Sequence, residues 1–305
     1  MSAASSPARL RGLALIALAA VSWGTTGAVT TLLVRHAGAR PLVVGASRML
    51  VGAVLLVGAA IVWRRQAISL ADALRGPTRR EAWRWLALGA CMAAFQVTYF
   101  TAVTHAGIAV TAVVAICSAP LMIAALAATL LGEQLTPRLI AALLLGVAGT
   151  ALLVAAPVTG TTAPRPLSGV LLALGAGLAY ALYVVMAKSA VARTPPLLVS
   201  ALTFAVAAIL MAPALITPGT GSQLARGWPG LVYLGAVATA AAYALYTTGL
   251  RSVSASSAGV ASLLEPLTAA LLGVVLFGER FGVAGWAGAV LLFVGLVLVV
   301  AAEPR

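Results

Sequence analysis

Glu265 is the residue from which chemistry can be argued first: it is a carboxylate inside the apolar stretch "SLLEPLTAALLGVVLFGER", residues 262–280, and Pro266 follows it at once. It lies well away from the charged residues flanking that stretch, Arg251 and Glu279, and so falls near the middle of any helix long enough to cross a bilayer. A charge at that depth costs on the order of 2.5 to 3.5 kcal/mol even on lenient insertion scales. Two roles follow. Glu265 exchanges a proton for a cationic partner, or it donates a hydrogen bond, as a neutral acid, to a carbonyl freed by Pro266.

Other polar and aromatic side chains recur three residues apart, the spacing that puts a pair on one helix face: Gln96 with Tyr99, Tyr180 with Tyr183, Tyr243 with Tyr246, and Ser262 with Glu265. Polar groups in membrane spans face the bundle or water rather than lipid, which favours a common interior for the four faces. The alternatives are interfacial belts for the tyrosines and a bond from Gln96 to a neighbouring helix. Trp23, followed by Thr25 and Thr26, lies midway along the first apolar run, where it forms a cavity wall or packs against small neighbours. Arg48 falls about 10 Å inside the second run, where it snorkels to the interface or reaches the cavity and pairs with Glu265.

These residues make no catalytic constellation. The chain has no HExxH, no acidic pair for a metal and no Gly-rich phosphate loop, and its six acidic residues leave little for an enzyme to work with. Neither metal nor cofactor is expected. Cys91 and Cys117 both lie in apolar runs and read as small hydrophobes. His105 and Arg251 occupy short turns, and a lone histidine there is expected in solvent. Gly132-Glu133 and Gly278-Glu279 read as helix stops whose carboxylates bond the amino end of the following helix.

The elements that must position these groups are set by composition. Of 305 residues, 62% are hydrophobic and 8% charged, which defines a polytopic all-α membrane protein. Runs of bilayer length fall near 10–34, 41–63, 85–104, 107–131, 138–156, 167–188, 197–217, 228–250, 253–277 and 281–302, giving ten transmembrane helices. The alternating segments of a membrane barrel are absent. The first run continues past Trp23 to Val34 and reads as a retained helix rather than a signal peptide. The net charge of +13 comes from arginines in short loops and indicates membrane topology rather than nucleic acid. Placing both termini in the cytoplasm puts thirteen Lys and Arg inside against five outside, Arg48 being within a span.

The stretch around Glu265 occurs once before. Residues 116–134 read "ICSAPLMIAALAATLLGEQ", and a shift of 146 places Pro120 on Pro266 and Glu133 on Glu279, with Ala119 opposite Glu265. The same shift pairs Gly89 with Gly235, and "PLVVGASRML" from Pro41 resembles "PLLVSALTFA" from Pro196. Two five-helix halves, 10–156 and 167–302, joined by Ala156 to Pro166, are therefore expected. An odd number of spans per half inverts the second copy, an arrangement that supports alternating access. Pro120 and Pro266 are the candidate hinges of spans four and nine.

With "SWG" in the first span, "APLMIAALAATLLGE" closing the fourth and "EPLTAALLGVVLFGE" closing the ninth, the chain resembles the drug/metabolite transporter superfamily, EamA type, over nearly its whole length. The resemblance implies a transporter of the inner or plasma membrane that exports small polar metabolites, often amino acids, through a central cavity, with spans five and ten peripheral. Coupling to protons and exchange are both compatible with it, and a monomer is plausible. A multidrug exporter is the alternative substrate reading. A membrane-embedded accessory protein or enzyme is the alternative class. An aromatic wall beside one acid accommodates a zwitterion, a cationic drug or a sugar alike.

Overall fold

In hydrocarbon, backbone N–H and C=O groups must be satisfied within the protein, so apolar runs of bilayer length fold as helices. The computed structural model describes residues 7–63, 78–154, 166–277 and 282–301, and every regular element among them is helical. Span one comprises Pro7–Gly24 and Thr26–Ala37, span two is Pro41–Val62, span three Arg79–Ala106, span four Ile108–Leu131 and span five Pro137–Val154. Span six is Pro166–Val191, and span seven Pro196–Met211 with a 3-10 turn, Ala212–Ile216. Span eight joins Thr220–Gly235 to Ala242–Leu250 through a π-helical turn, Ala236–Ala241. Span nine comprises Ala255–Ala261 and Leu264–Phe277, and span ten is Val283–Ala301.

Among the described residues nine helices are long and apolar enough to cross a bilayer, and span five is a shorter apolar one. The protein is thus a polytopic all-α membrane protein. Arg64, Arg65, Arg75, Gly278, Glu279, Arg280 and Arg305 lie outside the described residues, as does the linker apart from Pro166.

Local chemistry sets most helix ends. Spans one, two, five, six and seven all begin on proline, whose missing N–H is no loss in a first turn. Gly38 and Gly132 close their helices in the left-handed conformation, at φ of 61° and 67°. Span three begins at Arg79 rather than near 85, because Thr78 and Glu81 form a reciprocal capping box that starts the helix earlier. Span eight likewise begins at Thr220 rather than near 228, after Gly219 at φ 79°.

Packing follows small residues. Spans two and seven pack on each other, as do spans five and ten. Span three packs on spans six and seven, while span eight packs on spans one and two. A Cβ added to Gly89 would collide with Val206 of span seven, and one added to Gly235 would collide with Val51 of span two. Gly149 abuts the backbone of Gly288 and Leu292, while Gly295 abuts that of Ala142 and Gly146. Such contacts let helices approach closely where dispersion, not water exclusion, holds them. The outer surface keeps Val62, Ile216 and Val283 more than four-fifths exposed, a pattern that fits lipid.

Candidate functional site

Three irregular segments bring the predicted residues together. In span nine the helix breaks at Ser262 and Leu263 and restarts at Leu264, so Glu265 and Pro266 fall in the first turn of a half-helix. Proline is tolerated there, and the local dipole favours a carboxylate. The Ser262 carbonyl, which loses its usual helical donor to Pro266, accepts the Glu265 backbone N–H at 3.0 Å. That carbonyl therefore needs no hydrogen bond from the Glu265 carboxyl. In span four, by contrast, the helix runs through Pro120 without interruption.

Span one is interrupted at Thr25, whose hydroxyl donates to the Ser22 carbonyl at 2.7 Å and accepts from the Tyr233 hydroxyl at 3.0 Å. Gly24, the glycine of "SWG", faces span nine. A Cβ there would stand 2.8 Å from the Glu265 carbonyl oxygen and would also crowd Thr268. Only a glycine lets span one approach Glu265 this closely, and Trp23 beside it reaches the interior.

Span eight supplies the third irregularity. Its π-turn is held by Arg48 of span two, which donates from Nε to Thr239 Oγ1 at 3.0 Å and from Nη2 to the Ala238 carbonyl at 3.1 Å. Thr239 Oγ1 in turn donates to the Leu234 carbonyl at 2.9 Å. Arg48 is 7% exposed, so it does not snorkel to the interface as one reading expected. It is drawn inward because the widened turn offers acceptors that an unbroken helix would consume. Its charge lies within electrostatic reach of Glu265, but the two form no ion pair.

The aromatic residues form one continuous set. Trp23 stacks at a tilt on Tyr243 and Tyr246, at centroid distances of 4.9 and 5.2 Å, and meets Tyr180 edge-on at 6.4 Å. Tyr180 contacts Tyr183 at 6.1 Å and Phe95 at 5.6 Å, and Phe95 continues to Tyr99 at 5.8 Å. Phe204 closes the back against Tyr243 at 4.5 Å. These rings lie in the bundle interior, so the tyrosines do not form interfacial belts. The burial is graded: Trp23, Tyr183, Tyr243 and Tyr246 are buried, whereas Phe95, Tyr99, Tyr180, Ser262 and Glu265 are half-buried.

Polar capacity in this set is left open. Among the described residues the Glu265 carboxylate makes no hydrogen bond and no ion pair, although Tyr99, Tyr180 and Tyr243 lie within electrostatic reach of it. Among the described residues Trp23 Nε1 and the hydroxyls of Tyr180, Tyr183 and Tyr246 are buried without a hydrogen bond of good geometry. Each such group costs about 1–3 kcal/mol, and together they make a surface able to donate to a guest. A carboxylate amid aromatic faces suits an ammonium, through charge and cation–π attraction. Ser262 is less available, since its hydroxyl donates to the Ala258 carbonyl at 2.9 Å. Gln96 stands apart, 2% exposed and directed at Met49 Sδ at 3.8 Å, so it bonds a neighbouring helix.

Two expectations about helix ends are corrected. Glu133 does not bond the following helix: its carboxylate accepts from the Ala255 N–H at 2.6 Å, the Ser256 N–H at 3.0 Å and the Ser256 hydroxyl at 2.7 Å, capping the amino end of span nine. His105 is half-buried rather than free in solvent, with Nδ1 3.0 Å from Ser168 Oγ at the start of span six. Lys188, counted in sequence only as a topology marker, donates to the Leu250 and Val253 carbonyls at 2.8 and 2.6 Å. Phe95, Phe204, Thr239 and Gly24 also escaped the sequence reading. Phe95, four residues before Tyr99, is the one of these that helical spacing pointed to.

A polytopic helical membrane protein with a polar site at broken helices belongs among transporters in architecture. The chain is a member of the EamA-like transporter family, whose model matches it twice, over residues 10–155 and 167–301. It is 38% identical over 299 residues to YwfM, an uncharacterized transporter of Bacillus subtilis (strain 168), covering 95% of this chain and 93% of that one. It is also 26% identical over 169 residues to an uncharacterized transporter of Archaeoglobus fulgidus, covering 55% and 59% of the two chains. A protein of known crystal structure aligns with a TM-score of 0.78 at 25% identity, covering 97% of this chain and 96% of its own.

Proposed function

We propose that the protein is a secondary active exporter of small polar metabolites of the amino-acid class, working by alternating access and driven by protons or by exchange. The observation that carries this reading is the Glu265 carboxylate, unbonded in the first turn of a half-helix and facing an aromatic lining. Such a group takes up a proton in one state and a substrate ammonium in the other. Trp23, Tyr99, Tyr180, Tyr183, Tyr243 and Tyr246 wall the pathway, and the break ahead of Pro266 serves as the hinge of span nine. Pro120 is its counterpart in span four.

The two matches to one family model support two halves. So does the exchange of glycine contacts. The shift of 146 turns Gly89 into Gly235, and the offset from Pro41 to Pro196 turns Val51 into Val206, so the collision pairs Gly89–Val206 and Gly235–Val51 swap. The pairs at Gly149 and Gly295 swap in the same way under 146. Inverted halves generate this pattern, and the arginine distribution supports both termini in the cytoplasm of a cell-membrane protein.

The largely apolar character of the lining favours, as a second reading, a lipophilic cation such as a drug. Counterflow of labelled amino acids and of a labelled lipophilic amine into proteoliposomes of the purified protein separates the two. Counterflow of neither, across a broad metabolite panel, would remove the transporter of amines from consideration.

A further inference from the structure

Away from the aromatic site, a cleft of about 570 Å³ opens between the start of span three and the end of span six. Arg80, Arg84 and Arg193 line it together with the hydroxyl residues Ser189 and Thr194. Glu81 also lines the cleft, and although its carboxylate accepts from the Thr78 hydroxyl and N–H at 2.7 and 2.9 Å, its charge offsets part of that of Arg84. Arg84 lies within repulsive reach of both Arg80 and Arg193. Its Nη2 is buried with no hydrogen-bond partner among the described residues, and its guanidinium carbon sits 5.7 Å from the Trp85 ring. With two like charges against one carboxylate and a buried donor unused, Arg84 is under-compensated as it stands. The general bias of arginines toward one side of the membrane explains their number in this loop region. It does not explain three of them meeting in a cleft of ligand size with one donor unused.

We propose that this cleft binds the phosphate of an anionic phosphate ester, held by Arg84 and Arg193. The guanidinium fork matches two phosphate oxygens, and Arg80 with the hydroxyls completes the set. The same chemistry belongs to a phospholipid headgroup entering from the bilayer and to a soluble phosphate ester entering from water. The site is independent of the transport reading, since its cationic groups, Arg80, Arg84 and Arg193, are not members of the aromatic set.

The test uses the full-length protein in detergent, titrated with dioctanoyl phosphatidylglycerol and separately with glycerol 3-phosphate, read by native mass spectrometry and by the shift in melting temperature. At least one probe is expected to bind and stabilise the wild-type protein, and Arg84→Gln and Arg193→Gln are each expected to weaken that binding about tenfold. Arg138→Gln, outside the cleft, is expected to leave it unchanged. Binding of phosphatidylglycerol alone assigns the site to lipid; binding of glycerol 3-phosphate, with competition between the two, assigns it to a soluble ester. Arg193 lies on an exposed turn, so Arg193→Gln carries the test should Arg84→Gln fail to fold. The proposal is overturned if neither probe binds, if the cleft variants bind as tightly as wild type, or if Arg138→Gln weakens binding equally.

Discussion

Glu133, just past the end of span four, and Glu265, in the first turn of the second half-helix of span nine, are carboxylates that live under opposite conditions. Glu133 accepts three hydrogen bonds from the amino end of span nine, so its charge is compensated by oriented amides and a hydroxyl. Glu265 also stands at the start of a helix, yet its side chain has no hydrogen-bond partner among the described residues. A carboxylate already satisfied by its own protein is a staple. One left unsatisfied is open to a group that comes and goes, whether proton or ligand.

The largest effect expected from breaking this contrast is on transport. Glu265→Gln should insert and melt like wild type while lowering pH-gradient-driven transport at least about tenfold, or ~1.4 kcal/mol, in proteoliposomes. Exchange of substrate for substrate should fall less than proton-driven transport, because glutamine keeps an acceptor oxygen for the ammonium and loses the titration. Undiminished proton-driven transport would make Glu265 a second staple.

Glu133→Ala should do the reverse. It removes three hydrogen bonds between the end of span four and the start of span nine, so thermal or denaturant unfolding should show a loss of about 3 kcal/mol. Transport per folded molecule should fall less than yield does. Glu133→Gln should recover part of the stability, since one acceptor oxygen remains.

The proposed relation between two halves is tested by Gly89→Val and Gly235→Val. Each forces a side chain into Val206 or Val51 and should cost about 2 kcal/mol in unfolding measurements. Costs that differ widely would argue against equivalent environments. The smallest change is expected from Tyr246→Phe, which keeps the buried ring against Trp23 and removes an unbonded hydroxyl. Stability should hold or rise slightly, and a few-fold loss of transport would assign that hydroxyl to the substrate.

Much of the site was legible because helical spacing is local. Tyr180, Tyr183, Tyr243 and Tyr246 could be placed on shared faces from their numbers alone, and all four meet Trp23 or one another in the interior. Gln96 and Arg48 obeyed the same rule of facing inward but found different partners, Met49 and the π-turn. Spacing names a face, not the neighbour that meets it.

The sequence by itself determined the class of the molecule and where its apolar helices fall, because run length, charge count and proline or glycine punctuation act through lipid solvation and local backbone sterics. The tertiary structure alone decided that Arg48 holds a π-turn, that Glu133 caps a helix far along the chain and that Gly24 gives span one access to Glu265. Those outcomes depend on which helices become neighbours and at what distance. Their partners are about 120 to 240 positions apart, beyond anything that periodicity records.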